Sequence, residues 1–162
     1  MPNINDPVFD EPRETDGFRA QRARISRQAG CERLGLSLWE VRPGQAAYPY
    51  HFHYTEEELL IVLDGTPSLR GPAGWRELAP GDVVALPRGE GGGHQLVNRG
   101  ETVARFLAFS SSGEPDVVSY PDSGKLGVFE RLAQGGGLQA MFHARDSVDY
   151  YDGEHPPGPG ER

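Results

Sequence analysis

The chain has 162 residues, enough for one domain, and its 24 acidic against 16 basic side chains give a formal net charge of -8. That balance leaves no basic patch to neutralise a phosphate backbone or an anionic lipid surface, so nucleic acid and membrane are set aside as partners. Its single cysteine, Cys31, can close no intramolecular disulfide and has no partner for a Cys-based metal site, which suits a reducing compartment.

In chain order, residues 1–30 mix Pro, Asp, Glu and Arg without periodicity and read as an N-terminal arm, loosely ordered or held by packing. They lack the apolar stretch of a signal peptide, and nowhere do about 18 apolar residues run together, so a cytoplasmic protein is expected. From Leu34 short apolar or alternating runs follow one another: "LGLSLWEV" (34–41), "ELLIVLDG" (58–65), "PSLR" (67–70), "WREL" (75–78), "DVVALP" (82–87), "HQLVN" (94–98) and "VARFLAFS" (103–110). Turn-forming segments such as "RPG", "DGTP", "APGD" and "PRGEGGG" lie between them. Strands at intervals of about ten residues, separated by such turns, are the sequence form of an antiparallel sandwich or barrel. "EPDVVSYPDSGK" (114–125) has room for one more strand, "VFERLAQGGGLQ" (128–139) is broken by three glycines, and the tail "GEHPPGPGER" (153–162) sustains neither helix nor central strand. The expected layout is an arm over 1–30, an all-β barrel over 31–125 and a C-terminal extension over 126–162 packed on it.

The polar residues inside these runs carry the chemistry. Alternate side chains of an extended chain share a face, so His51 and His53 point the same way. From Glu57 onward, one face carries Glu58, Leu60 and Val62 and the other Glu57, Leu59, Ile61 and Leu63, the pattern of a strand buried on both sides. In "HQLVN", His94, Leu96 and Asn98 share a face. Buried separately, three imidazoles and a carboxylate would each need a partner, at several kcal/mol for an unpaired carboxylate. One divalent transition metal per chain satisfies His51, His53, Glu58 and His94 together, and this donor set suits Fe, Mn, Ni, Cu or Zn. Glu57 points away by pleat and Glu56 lies one residue further back, so both are expected to face solvent.

Gly44, His51, His53, Glu58 and Gly65 read G-x6-H-x-H-x4-E-x6-G, and Gly81, Pro87, Gly89, His94 and Asn98 read G-x5-P-x-G-x4-H-x3-N. Together they resemble the two motifs of the cupin superfamily, over roughly residues 34–110. The first motif has one residue more than usual before His51, and "EGGG" lengthens the step from Gly89 to His94 by two; both fall in loops, where insertion is tolerated. The resemblance implies a double-stranded β-helix of the jelly-roll type with irregular extensions at both ends, and "EPDVVSYPDSGKLGV" and "VDYYDGE" further resemble the ends of a group of single-domain bacterial cupins without an assigned reaction.

Outside the ligand set, Asn98 either satisfies a turn or orients a ligand, and Trp39, Tyr48, Tyr50, Phe106 and Phe109 line the core or mouth. His143 and His155 lie outside both motifs and are left out of the site. A divalent ion with one carboxylate ligand is locally near +1 and favours an anionic or enolisable chelator such as a hydroxy acid, keto acid or catechol. Two functions fit: a mononuclear metalloenzyme of dioxygenase, isomerase or lyase type acting on such a small molecule, or a metal-dependent module that binds or senses it without turnover. Open sheet edges need covering, and a homodimer is the expected assembly.

Overall fold

The computed structural model describes residues 1–111, 115–130, 137–156 and 158. The alternating runs become β2 (Leu34–Val41), β4 (Glu58–Asp64), β5 (Ser68–Gly71), β6 (Gly74–Glu77), β7 (Val83–Leu86), β8 (Gln95–Val97), β9 (Ala104–Ser111) and β10 (Asp116–Tyr120), with the HxH segment contributing the short β3 (Phe52–His53). Three further strands, β1 (Ala20–Ala23), β11 (Lys125–Phe129) and β12 (Gln139–His143), arise where periodicity predicts none. Each is supported by a neighbour rather than by its own composition: β1 pairs along β2, β11 along β10 and β12 along β11. Residues 131–136 of the glycine-broken run, together with 157 and 159–162 of the tail, lie outside the described residues.

Every pairing is antiparallel, in sheets ordered β1-β2-β9-β4-β7, β12-β11-β10-β3 and β6-β5-β8. The result is the expected all-β double-stranded β-helix. In the five-stranded sheet Trp39, Phe106 and Val62 fall in one cross-strand row, and the Trp39 and Phe106 rings stack at 6.2 Å. Leu60, Leu69, Leu78, Val84, Leu86 and Leu96 complete the buried interior around them. The opposite face of the same sheet places Leu38, Leu107 and Ile61 in one row, covered by Ile4 and Phe9 of the arm and by Ile25 of the one-turn helix α1 (Ile25–Gln28). The arm is thus held by apolar packing, reinforced by Glu11, whose carboxylate meets Arg13, Arg22 and Arg24. Along β4 the inner Leu60 and Val62 are buried, whereas Leu59 on the outer face is 37% exposed, because the arm covers only part of that face.

Gly65 closes β4 with φ +73°, and a Cβ there would lie 2.9 Å from both the Ala104 Cα and the Val103 carbonyl, so the motif glycine is required by conformation and by space. Among the described residues no helix is long and apolar enough to cross a membrane.

Candidate metal centre

Two backbone hydrogen bonds bring the halves of the site together: the His51 amide donates to the His94 carbonyl at 3.1 Å and the His94 amide returns to the His51 carbonyl at 2.9 Å. This bridge sets the His51 and His94 rings 4.5 Å apart, while His53, two residues along, lies 5.0 Å from His51. Glu58, the first residue of β4, enters from the adjoining sheet on the face that carries Leu60 and Val62 further along. Its Oε2 lies 3.3 Å from His53 Nε2 and 3.2 Å from His94 Nε2.

Each imidazole is oriented from behind through Nδ1. His51 Nδ1 meets the Pro49 carbonyl at 2.9 Å, His94 Nδ1 the Gly92 carbonyl at 2.9 Å, and His53 Nδ1 the Asp116 carboxylate at 2.5 Å. A carbonyl can only accept, so His51 and His94 carry their proton on Nδ1 and turn the Nε2 lone pair the other way. The inserted glycines supply one of these carbonyls. A Cβ at Gly92 would sit 1.7 Å from the Pro87 carbonyl oxygen, and only glycine fits the tight step that aims its own carbonyl at His94.

Electrostatics keeps His51 a neutral donor and Glu58 an anion, while His53 holds a proton that an incoming cation would displace. Burial, helped by the neighbouring His94 and His53, pushes His51 down to about 3, so it is neutral at physiological pH. Burial also disfavours a charged His53, but the hydrogen bond to Asp116 and the nearby charges of Glu58 and Asp116 outweigh it and raise that imidazole to about 9. Glu58 is held well below the usual carboxylate range: burial pushes it up, and the flanking His53 and His94 overcome that. His53 Nε2 and Glu58 Oε2 are nevertheless buried without a hydrogen-bond partner, which is unusual for such groups. Donors bound to one ion at about 2.1 Å lie about 3.0 Å apart at a right angle and about 3.4 Å apart at the tetrahedral angle. The 3.2 and 3.3 Å separations around Glu58 fall in that range. The residues therefore fit a divalent metal in donor type, spacing and unsatisfied valence.

Tyr48 packs edge-on to His51 and His94, with ring centroids at 5.0 and 5.4 Å, and joins the site to Trp39 of the apolar interior. Burial, then the Glu58 charge, raises its phenol well above the usual value, so it stays protonated. On the outer side Tyr120 stacks on His51 at 5.8 Å, and Lys125 stands 5.4 Å from the Tyr120 ring.

His51, His53 and Glu58 bring ligand atoms within 4.8 Å of one another, His94 adjoins them with its Nε2 3.2 Å from Glu58 and its ring 4.5 Å from that of His51, and Glu57 faces solvent. Glu56 does not: it is 4% exposed, and its carboxylate lies within 4.8 Å of ligand atoms of His53 and Asp116. The reason is a bend at Tyr54 and Thr55 that takes the chain off the pleat, so the alternation used to send Glu56 outward stops before it. Asn98 satisfies a turn: its amide donates to the Val41 and Thr102 carbonyls, and its oxygen accepts from the Gly100 amide. Asp116 was invisible to motif spacing. Its one sequence signal is an acidic residue heading the apolar run "DVVSY".

Residues 37–110 match the family model described as "Cupin domain". Among solved structures, a provisionally named sugar phosphate isomerase from Acidithiobacillus ferrooxidans is 26% identical over 82% of this chain and 81% of its own, with a TM-score of 0.72. A sugar phosphate isomerase from a cupin superfamily, from Silicibacter pomeroyi, is 23% identical over 94% and 98% of the two chains with a TM-score of 0.75, a likeness of fold. The polyketide cyclase RemF of Streptomyces resistomycificus is 26% identical over 68% and 78%, with a TM-score of 0.56. No curated protein matches the chain in sequence.

Proposed function

We propose that this chain, a member of the cupin superfamily, holds one divalent transition metal on His51, His53, Glu58 and His94 and acts on a small chelating molecule that can form an enolate. The observation that carries the reading is the pair of buried, unpartnered atoms, His53 Nε2 and Glu58 Oε2, beside imidazoles whose Nδ1 atoms are already engaged. Bound there, such a metal supplies Lewis acidity toward a substrate oxygen.

The protein side then has three tasks. His51, kept neutral by burial and by the neighbouring His94 and His53, offers a lone pair without first losing a proton. Tyr48, kept protonated, is a hydrogen-bond donor and never a competing anion. Trp39 and Phe106 wall the interior with apolar surface that excludes water. Isomerase or lyase chemistry is favoured over oxygen chemistry by the names of the two 26% identical structures, a provisionally named sugar phosphate isomerase and a polyketide cyclase, since an enolate is a route open to both kinds of reaction.

The test begins with metal analysis of protein purified without added metal, where about one equivalent per chain is expected. The loaded protein is then incubated in D2O with α-hydroxy carbonyl compounds, and exchange of the carbon-bound proton is followed by NMR. Exchange that requires metal supports the enolisation reading. Binding without exchange or conversion identifies a binding module, and protein that takes up no metal sinks both.

We also propose a cytoplasmic location and, separately, a homodimer. The support for the homodimer is the apolar strip of Leu59, Ile61, Val83 and Ala85 on the outer face of β4 and β7, where Val83 is 60% exposed beside the end of the sheet. Light scattering is expected to give twice the chain mass, falling to one chain mass in Val83→Glu.

A further inference from the structure

We propose that Asp116 is the positioning residue of the metal centre, fixing His53 as an Nε2 donor, and that strand β10 therefore belongs to the site although it lies beyond the matched cupin segment 37–110. This inference rests on the metal reading above.

The three histidines are not held alike. His51 and His94 lean on neutral carbonyls, whereas His53 alone has a carboxylate behind it, fully buried and at 2.5 Å. A charge-assisted hydrogen bond is shorter and roughly twice as strong as a neutral one, and it makes the far nitrogen a better donor. Asp116 is itself fixed. Its Oδ1 accepts from the Thr55 amide at 3.1 Å and from the Thr55 hydroxyl at 2.7 Å, which leaves Oδ2 aimed at His53. The strands enforce the same alignment, since Val118 of β10 pairs with His53 and Ser119 with Phe52. His53 is thus clamped in register by backbone pairing and in rotation by the carboxylate.

Asp116, Glu56 and His53 do not read as a second ion site. At 2.5 Å, His53 Nδ1 and Asp116 Oδ2 are closer than two donors on one ion, about 3.0 to 3.4 Å apart. They share a proton, and the carboxylate serves the ion on the opposite side of the ring.

The experiment compares metal affinity in the full chain. Wild type, Asp116→Asn and Thr55→Val are titrated with Co2+ against a chromophoric chelator, and the visible absorption of the bound ion is recorded. Asp116→Asn is expected to bind about 10- to 100-fold more weakly with displaced Co2+ bands, and Thr55→Val a few-fold more weakly. Equal affinity and identical bands in Asp116→Asn would overturn the proposal, because a residue needed only for folding would not move the spectrum of a folded, loaded protein. Should Asp116→Asn fail to fold, the imidazole nitrogens of wild type are read by 15N NMR. A proton on His53 Nδ1 with Zn2+ on Nε2 sustains the proposal, and the reverse arrangement defeats it. If wild type itself takes up no Co2+, the metal reading has failed, a result separate from equal binding by wild type and variant.

Discussion

Strands β4 and β8 carry two kinds of interior along the same faces. At one end lie Glu58 and, just before β8, His94; further along lie Leu60, Val62, Leu96 and Asn98. The apolar end contains a polar residue as deeply buried as any in the site, yet Asn98 makes three hydrogen bonds and leaves nothing open. At the other end His53 Nε2 and Glu58 Oε2 have no hydrogen-bond partner. Burial alone therefore does not mark a functional polar group in this barrel. What separates the two ends is whether the polar atoms are satisfied by the chain itself, and unsatisfied atoms are the ones that select for a ligand from outside.

The comparison breaks most sharply under substitution at the open end. His51→Ala combined with His53→Ala should abolish stoichiometric metal, measured by elemental analysis of folded protein, and Glu58→Gln should weaken binding at least about 100-fold while Glu57→Gln leaves it unchanged. Full metal content in the folded double variant would remove the distinction between the ends. Lowering pH should also release the ion, since bound imidazole must be neutral and protons compete for it. At the packed end the pattern reverses: Leu60→Ala should lose about 2–5 kcal/mol in urea unfolding through the cavity it leaves, with metal stoichiometry retained. Asn98→Ala should cost about 1–3 kcal/mol, because the Val41 and Thr102 carbonyls and the Gly100 amide lose their partner. A change in metal affinity on Asn98→Ala would join the two ends into one functional unit.

Much of this contrast is legible in the sequence, and the reason is periodicity. Pleat fixes the faces shared by His51, His53, Glu58 and His94, so the strands between Leu34 and Ser110 other than β3 and the grouping of the four candidate ligands are legible from periodicity, while closure into a double-stranded β-helix is what the resemblance of the two motifs implies. What spacing cannot show is a residue made important by a distant neighbour. Asp116 lies 63 positions beyond His53, and only the pairing of β10 with β3 brings the two together. Glu56 is misread for a related reason: the bend at Tyr54 and Thr55 breaks the alternation on which the expectation depended. Strands β1, β11 and β12 exist because a neighbour offers an edge, and their own composition does not announce it.

The arm tests the rule with a charge instead of an amide, and the expected effect is the smallest. Glu11 is buried enough to need partners and has them: Arg13 at 2.6 Å, Arg22 at 3.3 Å, and Arg24. Burial pushes its carboxyl up, but the hydrogen bond from Arg24 and the charges of Arg22, Arg13 and Arg24 outweigh that, and its folded-state value lies below the ordinary 4.5. A depressed carboxylate contributes stability that is fully present above its unfolded value and is lost as pH falls through the folded one. Glu11→Gln should therefore cost no more than about 1 kcal/mol at neutral pH, because its arginine partners are partly exposed and screened by solvent. The difference from wild type should shrink as pH drops below 4.5 and also as salt rises. Because this carboxylate is satisfied within the chain, metal affinity should not change. A Glu11→Gln protein with altered Co2+ binding would show that the arm reaches the centre through Arg22, which bonds the Ser37 hydroxyl and lies 5.0 Å from the Trp39 ring, and the satisfied and unsatisfied groups would no longer be independent.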